Sequence, residues 1–210
     1  MALYIDSAHY EEVKSALSHG VVQGVTTNPT LLLQEGENAK ETLTRLASLK
    51  PQKLFIQLTR PDKAGMIEEM QHWQAILQRE IIFKVPMTWP SLDLVSQDRD
   101  HYFLVTAVSS LSQCMLVAEA GAYYAAVYVE RYRKRHEGEN PPLAEMAHFL
   151  QGTRLLAASL HDKETAVWAV KQGAKDLTLS YKVLQAMAFD QGTEADLLGF
   201  EQDAGLLRYE

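Results

Sequence analysis

The sequence predicts a single-domain α/β protein, a (β/α)8 TIM barrel spanning residues 1–210 with a short C-terminal helix. Three observations predict it. Short apolar runs rich in β-branched residues recur along the whole chain, segments of helical periodicity separate them, and polar residues close the runs. Those polar residues lie roughly 20 to 30 positions apart, one compact βα unit each time. Strands alternating with amphipathic helices call for parallel pairing, because a parallel neighbour is reached only by a long crossover. Such barrels usually take about 250 residues and can be trimmed to about 200, so a chain of 210 makes a lean one. The alternative is an open doubly wound sheet. It is weakened by the lack of a Gly-rich phosphate loop after the first strand.

Taken in order, Leu3-Tyr4-Ile5 reads as the first strand with Asp6 at its end, and Tyr10, Val13 and Leu17 then share one helical face. The second strand includes Val21-Val22 and closes at Thr26; Asn28 follows as a helix N-cap with Pro29 at the first helical position. Leu54-Phe55-Ile56 closes at Gln57, and the next helix carries the stripe Ala64, Ile67, Met70, Trp73 and Leu77. Ile81-Ile82-Phe83 closes at Lys84, Tyr102 to Val105 at Thr106, and Ala125-Ala126-Val127 at Tyr128. After the linker-like His136 to Pro142, Leu155 to Ala158 closes at Ser159, and Leu177-Thr178-Leu179 is the eighth strand, marked by Thr178.

Composition narrows the function. A 47% hydrophobic chain of mixed charge is that of an ordinary soluble globular protein. A net charge of -7 argues against a nucleic-acid partner, since phosphate backbones are gripped by basic patches. The local exception, Arg131-Tyr132-Arg133-Lys134-Arg135, reads as a solvated loop, a nucleic-acid patch or a phosphate-ester site. One cysteine, Cys114, allows no intramolecular disulfide, the N-terminal residues do not read as a signal peptide, and no apolar stretch approaches the roughly 20 residues that span a bilayer. A cytoplasmic protein with no membrane partner is expected. The seven histidines lack metal-ligand spacing, so neither metal nor cofactor is expected. Cys114 reads as a small buried thiol, and Glu68-Glu69 as a solvated helix face.

Barrel sites are built at the C-terminal ends of the strands, which makes the run-closing polar residues the candidates. Lys84 stands in Ile81-Ile82-Phe83-Lys84-Val85-Pro86. Alternation puts it on the face of Ile82, and a lysine turned into the barrel loses water, favours its neutral amine and becomes a nucleophile toward carbonyls. The bland reading is a lysine that snorkels to solvent. Asp6 is either a cap with Ser7 or a carboxylate that orients hydroxyls or holds the protonated lysine. Thr26, with Thr27, offers hydroxyls to a bound sugar, and capping accounts for Asn28. Gln57, Thr106 and Tyr128 form a plausible cage for a water that moves protons. Arg131 and Ser159 read either as surface and capping residues or as a phosphate grip.

Together these segments resemble the transaldolase family, most closely its short fructose-6-phosphate aldolase branch. The resemblance covers most of the chain: Leu3-Tyr4-Ile5-Asp6, Gly24-Val25-Thr26-Thr27-Asn28-Pro29, Phe55-Ile56-Gln57, Phe83-Lys84-Val85-Pro86, Thr106-Ala107-Val108, Tyr128-Val129-Glu130-Arg131, Leu156-Ala157-Ala158-Ser159 and Phe200-Glu201-Gln202-Asp203. It implies a (β/α)8 barrel, Lys84 as the Schiff-base lysine, Asp6 and Asn28 at substrate hydroxyls and the imine, and Arg131 with Ser159 at a phosphate. It also implies a homo-oligomer, a pentamer or decamer, in which the C-terminal helix reaches a neighbour. Where true transaldolases carry a glutamate acid/base, this chain has Gln57, as the aldolase branch does.

Three departures bear on specificity: Ser109 where an aromatic is usual, Tyr132-Arg133 where Ile-Asp is usual, and His161 where a lysine or arginine is common. The expected activity is class I aldol cleavage or formation on a ketose or ketose phosphate, so the expected partner is a small-molecule sugar or sugar phosphate. The alternatives are transaldolase transfer of a dihydroxyacetone unit and a non-catalytic sugar-phosphate-binding relative.

Overall fold

A computed structural model of the chain describes residues 1–36 and 38–207. Eight parallel strands close into a barrel in chain order: β1 (Ala2–Asp6), β2 (Val22–Thr26), β3 (Lys53–Gln57), β4 (Ile82–Pro86), β5 (Tyr102–Thr106), β6 (Tyr124–Tyr128), β7 (Arg154–Ala158) and β8 (Asp176–Leu179). Helices α1 (Tyr10–Ser18), α2 (Pro29–Gln34), α3 (Ala39–Ser48), α4 (Lys63–Leu77), α5 (Trp89–Gln97) and α6 (Leu111–Ala120) follow the first five strands. The remainder are α7 (Val129–Arg135), α8 (Leu143–Phe149), α9 (Lys163–Lys171), α10 (Tyr181–Met187) and α11 (Gln191–Ala204). Among the described residues no helix is long and apolar enough to cross a membrane.

The expected barrel is therefore present, with small shifts at the strand ends. β4 runs to Pro86, two residues past Lys84, and β8 runs to Leu179, one past Thr178. β7 stops at Ala158 because Ser159 turns into the left-handed region at φ 56. The basic run is not a loop: it lies on α7, where Arg133, Lys134 and Arg135 occupy the last turn and suit the negative end of the helix dipole. The stripe on α4 holds at Met70, Trp73 and Leu77 and differs at its start, where Met66 is buried while Ala64 and Ile67 are exposed. Counting back from Met70, a step of three reaches Ile67 and a step of four reaches Met66, and the packing takes the second.

Period-two alternation divides each strand's apolar residues between two cores. Tyr4, Phe55, Ile82, Leu104, Tyr124, Ala126 and Leu156 fill the barrel interior. Ile5, Val25, Leu54, Phe83, Val85 and Val105 face the helices. Each valine, leucine, isoleucine or phenylalanine among them stabilises the fold by about 1.5–3 kcal/mol, before the conformational entropy that opposes it. Gly24 is required where β2 meets β3, because a Cβ there would lie 2.2 Å from the Lys53 carbonyl oxygen.

Beneath the apolar layer, at the N-terminal mouth, the fully buried Asp176 accepts from Arg154 Nε at 2.6 Å and Nη2 at 2.7 Å, and from the Ala2 N–H at 2.7 Å. Lys53 donates to the Tyr124 hydroxyl at 2.6 Å, and Tyr124 and Tyr4 share a hydrogen bond of 2.9 Å. Above that layer the same alternation points Asp6, Thr26, Gln57, Lys84, Thr106, Tyr128 and Thr178 toward the barrel axis at the C-terminal mouth.

Candidate active site

Lys84 is 6% exposed, at the centre of β4 between Gln57, its register partner on β3, and Leu104 on β5. Its ammonium donates to the carbonyl of Thr27, the first residue past β2. Burial pushes its pKa below the ordinary lysine value and the Arg131 guanidinium pushes the same way, while the Asp6 carboxylate partly restores the charged form. A lysine so placed can present a free amine lone pair.

Asp6 does not cap a helix. The α1 N-cap is His9, which makes no side-chain cap, and Ser7 instead donates to Glu12 at 2.6 Å. That frees the Asp6 carboxylate for the barrel mouth, where it accepts from the Thr26 hydroxyl at 2.7 Å. Thr26 also bonds the Thr178 hydroxyl, so Asp6, Thr26 and Thr178 form one chain of hydroxyls and carboxylate along β1, β2 and β8. Asn28 caps α2 by accepting from the Leu31 N–H at 3.0 Å, as its position before Pro29 predicts, and it also faces the cavity.

Opposite these groups stands Tyr128, hydrogen-bonded to the buried Thr106; burial is the first cause raising its phenol pKa, which keeps it a proton donor. Arg131 lies over the Tyr128 ring with 4.7 Å from guanidinium carbon to centroid. Across the mouth, the left-handed turn at Ser159 brings Ser159, Leu160 and His161 to the rim, and the Ser159 carbonyl accepts from the Glu130 N–H at 3.1 Å.

These groups enclose a cavity of about 320 Å³ at the C-terminal mouth. That is near the lower end of small-molecule sites, which run from about 300 to 1,000 Å³. Of the sequence-predicted residues, Asp6, Thr26, Asn28, Lys84, Tyr128, Arg131 and Ser159 line it. Gln57 and Thr106 belong to the same inward layer but do not line it; Thr106 reaches it through Tyr128. Sequence reasoning missed Leu31 and Ser180 as lining residues and took Thr178 only as a strand marker. A serine directly after the eighth apolar run was the available signal for Ser180, which caps α10. Leu31 carries no such signal, because α2 is too short to show a periodic face. His161, noted above only as a departure, is also on the rim.

Of the two blander readings, one holds and the other needs adjustment. Cys114 is indeed fully buried, with its thiol pKa pushed up to about 11 by burial. Glu69 is more than a solvated face: it accepts from the Thr59 N–H at 2.7 Å and the Arg60 N–H at 3.2 Å, anchoring the loop after β3. Among the described residues no three His, Cys, Asp or Glu side chains are grouped as a metal site would need.

The chain matches the family model described as Transaldolase/Fructose-6-phosphate aldolase over residues 3–207. It is 32% identical over 209 residues to a "Probable transaldolase" of Pelotomaculum thermopropionicum, covering 97% of each chain. A second "Probable transaldolase", from Caldicellulosiruptor saccharolyticus, is 30% identical over 210 residues, covering 97% of this chain and 96% of that one. Among solved structures, a mandelate oxidase superposes with a TM-score of 0.60 at 14% identity, over 89% of this chain and 67% of that one. A thiamine phosphate pyrophosphorylase from Pyrococcus furiosus gives a TM-score of 0.56 at 14% identity, over 85% of both. At that identity the two structures speak for the fold alone.

Proposed function

The chain belongs to the transaldolase/fructose-6-phosphate aldolase family, and from that premise we propose that it is a class I aldolase that cleaves or forms a C–C bond in a ketose or ketose phosphate through a Schiff base on Lys84. The observation that carries this reading is a buried lysine with a lowered pKa, facing a small cavity that also presents a carboxylate and a phenol.

The neutral Lys84 amine attacks the ketose carbonyl carbon, and loss of water from the carbinolamine leaves a protonated imine. Breaking the C3–C4 bond sends its electron pair toward that imine, giving an enamine. The proton of the C4 hydroxyl passes to a water held by Tyr128, Thr106 and Gln57, and the aldehyde departs. The same water returns a proton to C3, and hydrolysis releases dihydroxyacetone and restores the amine. Asp6, with Thr26 behind it, orients substrate hydroxyls and stabilises the cationic imine. Asn28 contacts the same hydroxyls, and Arg131 with Ser159 receives a phosphate through charge-assisted hydrogen bonds.

On this reading the protein acts in the cytoplasm without cofactor, nucleic acid or membrane partner, and as a homo-oligomer of five or ten copies. The stoichiometry is what the family resemblance implies, and α11, which buries none of its residues and leaves Leu197, Leu198 and Phe200 exposed, offers such an assembly an uncovered face. Native mass spectrometry reads the stoichiometry directly, and a monomer would remove the point.

Reduction with borohydride in the presence of dihydroxyacetone, followed by mass spectrometry, tests the chemistry. The expected result is an adduct on Lys84 that is absent from Lys84→Met; no adduct with any dihydroxyacetone-type donor would sink the reading. The names of the relatives favour a second reading, transfer of a dihydroxyacetone unit between sugar phosphates. Gln57 weighs against it, because a neutral amide positions water but takes no proton. Free dihydroxyacetone released without an acceptor aldose supports cleavage, whereas release of none until an acceptor is added supports transfer.

A further inference from the structure

The cavity rim is held from behind by a side chain outside the lining set. Arg133 lies on α7 two residues past Arg131, and its side chain is only 26% exposed. It pairs with Glu130, donates from Nε to Asn140 Oδ1 at 2.8 Å and from Nη1 to Thr165 Oγ1 at 3.3 Å, and lies 5.4 Å from the Trp168 ring centroid. These partners belong to three separate segments: α7 itself, the connection from α7 to α8, and the start of α9. A planar guanidinium reaches them from separate nitrogens, Nε and Nη1, held rigidly apart, whereas the donors of an ammonium all leave one atom.

Both ends of this brace terminate at the cavity. The Glu130 N–H is bonded to the Ser159 carbonyl, and the next residue, Arg131, stacks on Tyr128. At the far end, Thr165 donates its N–H to Asp162 at 2.6 Å, and Asp162 directly follows His161. Glu130 neutralises Arg133, so the charge that Arg133 carries is not what it offers the rim. Its contribution is the spacing between Arg131 on one side and Ser159 and His161 on the other.

We propose, building on the ketose-phosphate reading above, that Arg133 is a positioning residue for the phosphate end of the substrate, setting the gap across which Arg131, Ser159 and His161 close on a phosphate monoester. Replacing Arg133 then weakens recognition of the phosphate far more than the lysine chemistry, because burial is the first cause of the Lys84 shift and Arg131 the last of those that act on it.

Arg133→Met keeps the aliphatic stem against Trp168 and removes the fork. KM for fructose 6-phosphate should rise about tenfold with kcat within about twofold, the mark of lost binding that is equal in ground and transition states. Borohydride trapping of unphosphorylated dihydroxyacetone should match the parent protein, and Arg133→Lys should fall between the two. A merely structural role would depress kcat and trapping together. Calorimetric titration with inorganic phosphate gives a readout that needs no turnover: the parent protein should bind it at the rim, and Arg133→Met about tenfold more weakly. Unchanged KM and unchanged phosphate affinity overturn the proposal, as does a parent protein that binds no phosphate. Phosphate affinity lost in the variant of a protein that cleaves no ketose would leave Arg133 as the brace and remove the aldolase reading instead. Should Arg133→Met fail to fold, Arg133→Lys carries the test, and parental KM and phosphate affinity in it overturn the proposal.

Discussion

Replacing Lys84 by methionine should change not only chemistry but also how stability depends on pH. Lys84 is 6% exposed, and burial is the first cause of its lowered pKa. In the unfolded chain the same amine titrates near the ordinary lysine value. Below the folded-state pKa both states carry the proton, and the folded protein bears the full cost of a buried ammonium. Between the folded and unfolded values only the unfolded chain binds the proton, so stability rises with pH by up to about 1.4 kcal/mol per unit. Above the unfolded value neither state is charged and the cost is gone.

Methionine, of similar length and never charged, removes the whole term, at the expense of the hydrogen bond to the Thr27 carbonyl. An orphaned buried carbonyl costs about 1–3 kcal/mol, but that cost is independent of pH. The other lysines and tyrosines titrate in both proteins and cancel in the comparison. Urea unfolding at a fixed protein concentration, repeated from pH 7 to 10.5, reads the difference. The parent protein should gain on Lys84→Met as pH rises through the upper part of that range. Parallel curves would refute the claim that burial depresses this lysine, whatever the trapping experiment gave.

Other perturbations separate chemistry from scaffold. Tyr128→Phe removes the phenol that Thr106 holds, and should lower kcat by about 10²-fold while leaving the borohydride adduct intact; loss of the adduct would assign Tyr128 to imine formation instead. Asp176→Asn leaves the Arg154 guanidinium without its carboxylate at a fully buried position and should cost about 3 kcal/mol in urea unfolding. Arg154 is itself partly exposed, so a value well below that figure would mean water replaces the pair. Cys114, fully buried with its thiol near pKa 11, should resist alkylation by iodoacetamide at pH 8 until urea is added, and rapid native labelling would contradict its burial.

The barrel was legible because alternation and helical periodicity are local signals, and each short apolar run with a polar residue at its end marked a real strand. Lys84 was legible for the same reason: sharing a face with Ile82 is decided by period two alone. Asn28 was legible from the proline that follows it. What the sequence could not show depends on distant pairing. That Asp6 serves the mouth rather than α1 follows from Thr26 and Thr178, far from it in the chain, holding its carboxylate and setting its surroundings. Ser159 lies one residue past its strand because the backbone turns left-handed there, which a serine does not announce. The basic run after Tyr128 reads as solvated charge until Arg133 is seen among Glu130, Asn140 and Thr165, the last of them 32 positions away.

Among the described residues two lysines enter the barrel interior, and their surroundings explain why only one of them reads as a nucleophile. Lys53 and Lys84 both have pKa values lowered by burial. Lys53, at the N-terminal mouth, donates to the Tyr124 hydroxyl and lies 5.0 Å from the Tyr123 ring centroid and 5.2 Å from that of Tyr124. Aromatic faces stabilise the cation, and Asp176 nearby works in the same direction. Its phenol neighbour has its own pKa raised, so it offers no base to accept a proton. Lys84 has a backbone carbonyl as acceptor, a cavity of about 320 Å³ in front of it, and in Asp6 a carboxylate placed to stabilise the cation that imine formation creates. The apolar layer of Tyr4, Phe55, Ile82 and Leu104 lies between the two mouths, so the charge that stabilises the lower one does not solvate the upper. Buried amines are costly wherever they stand; only the one at the C-terminal mouth has room beside it for a carbonyl.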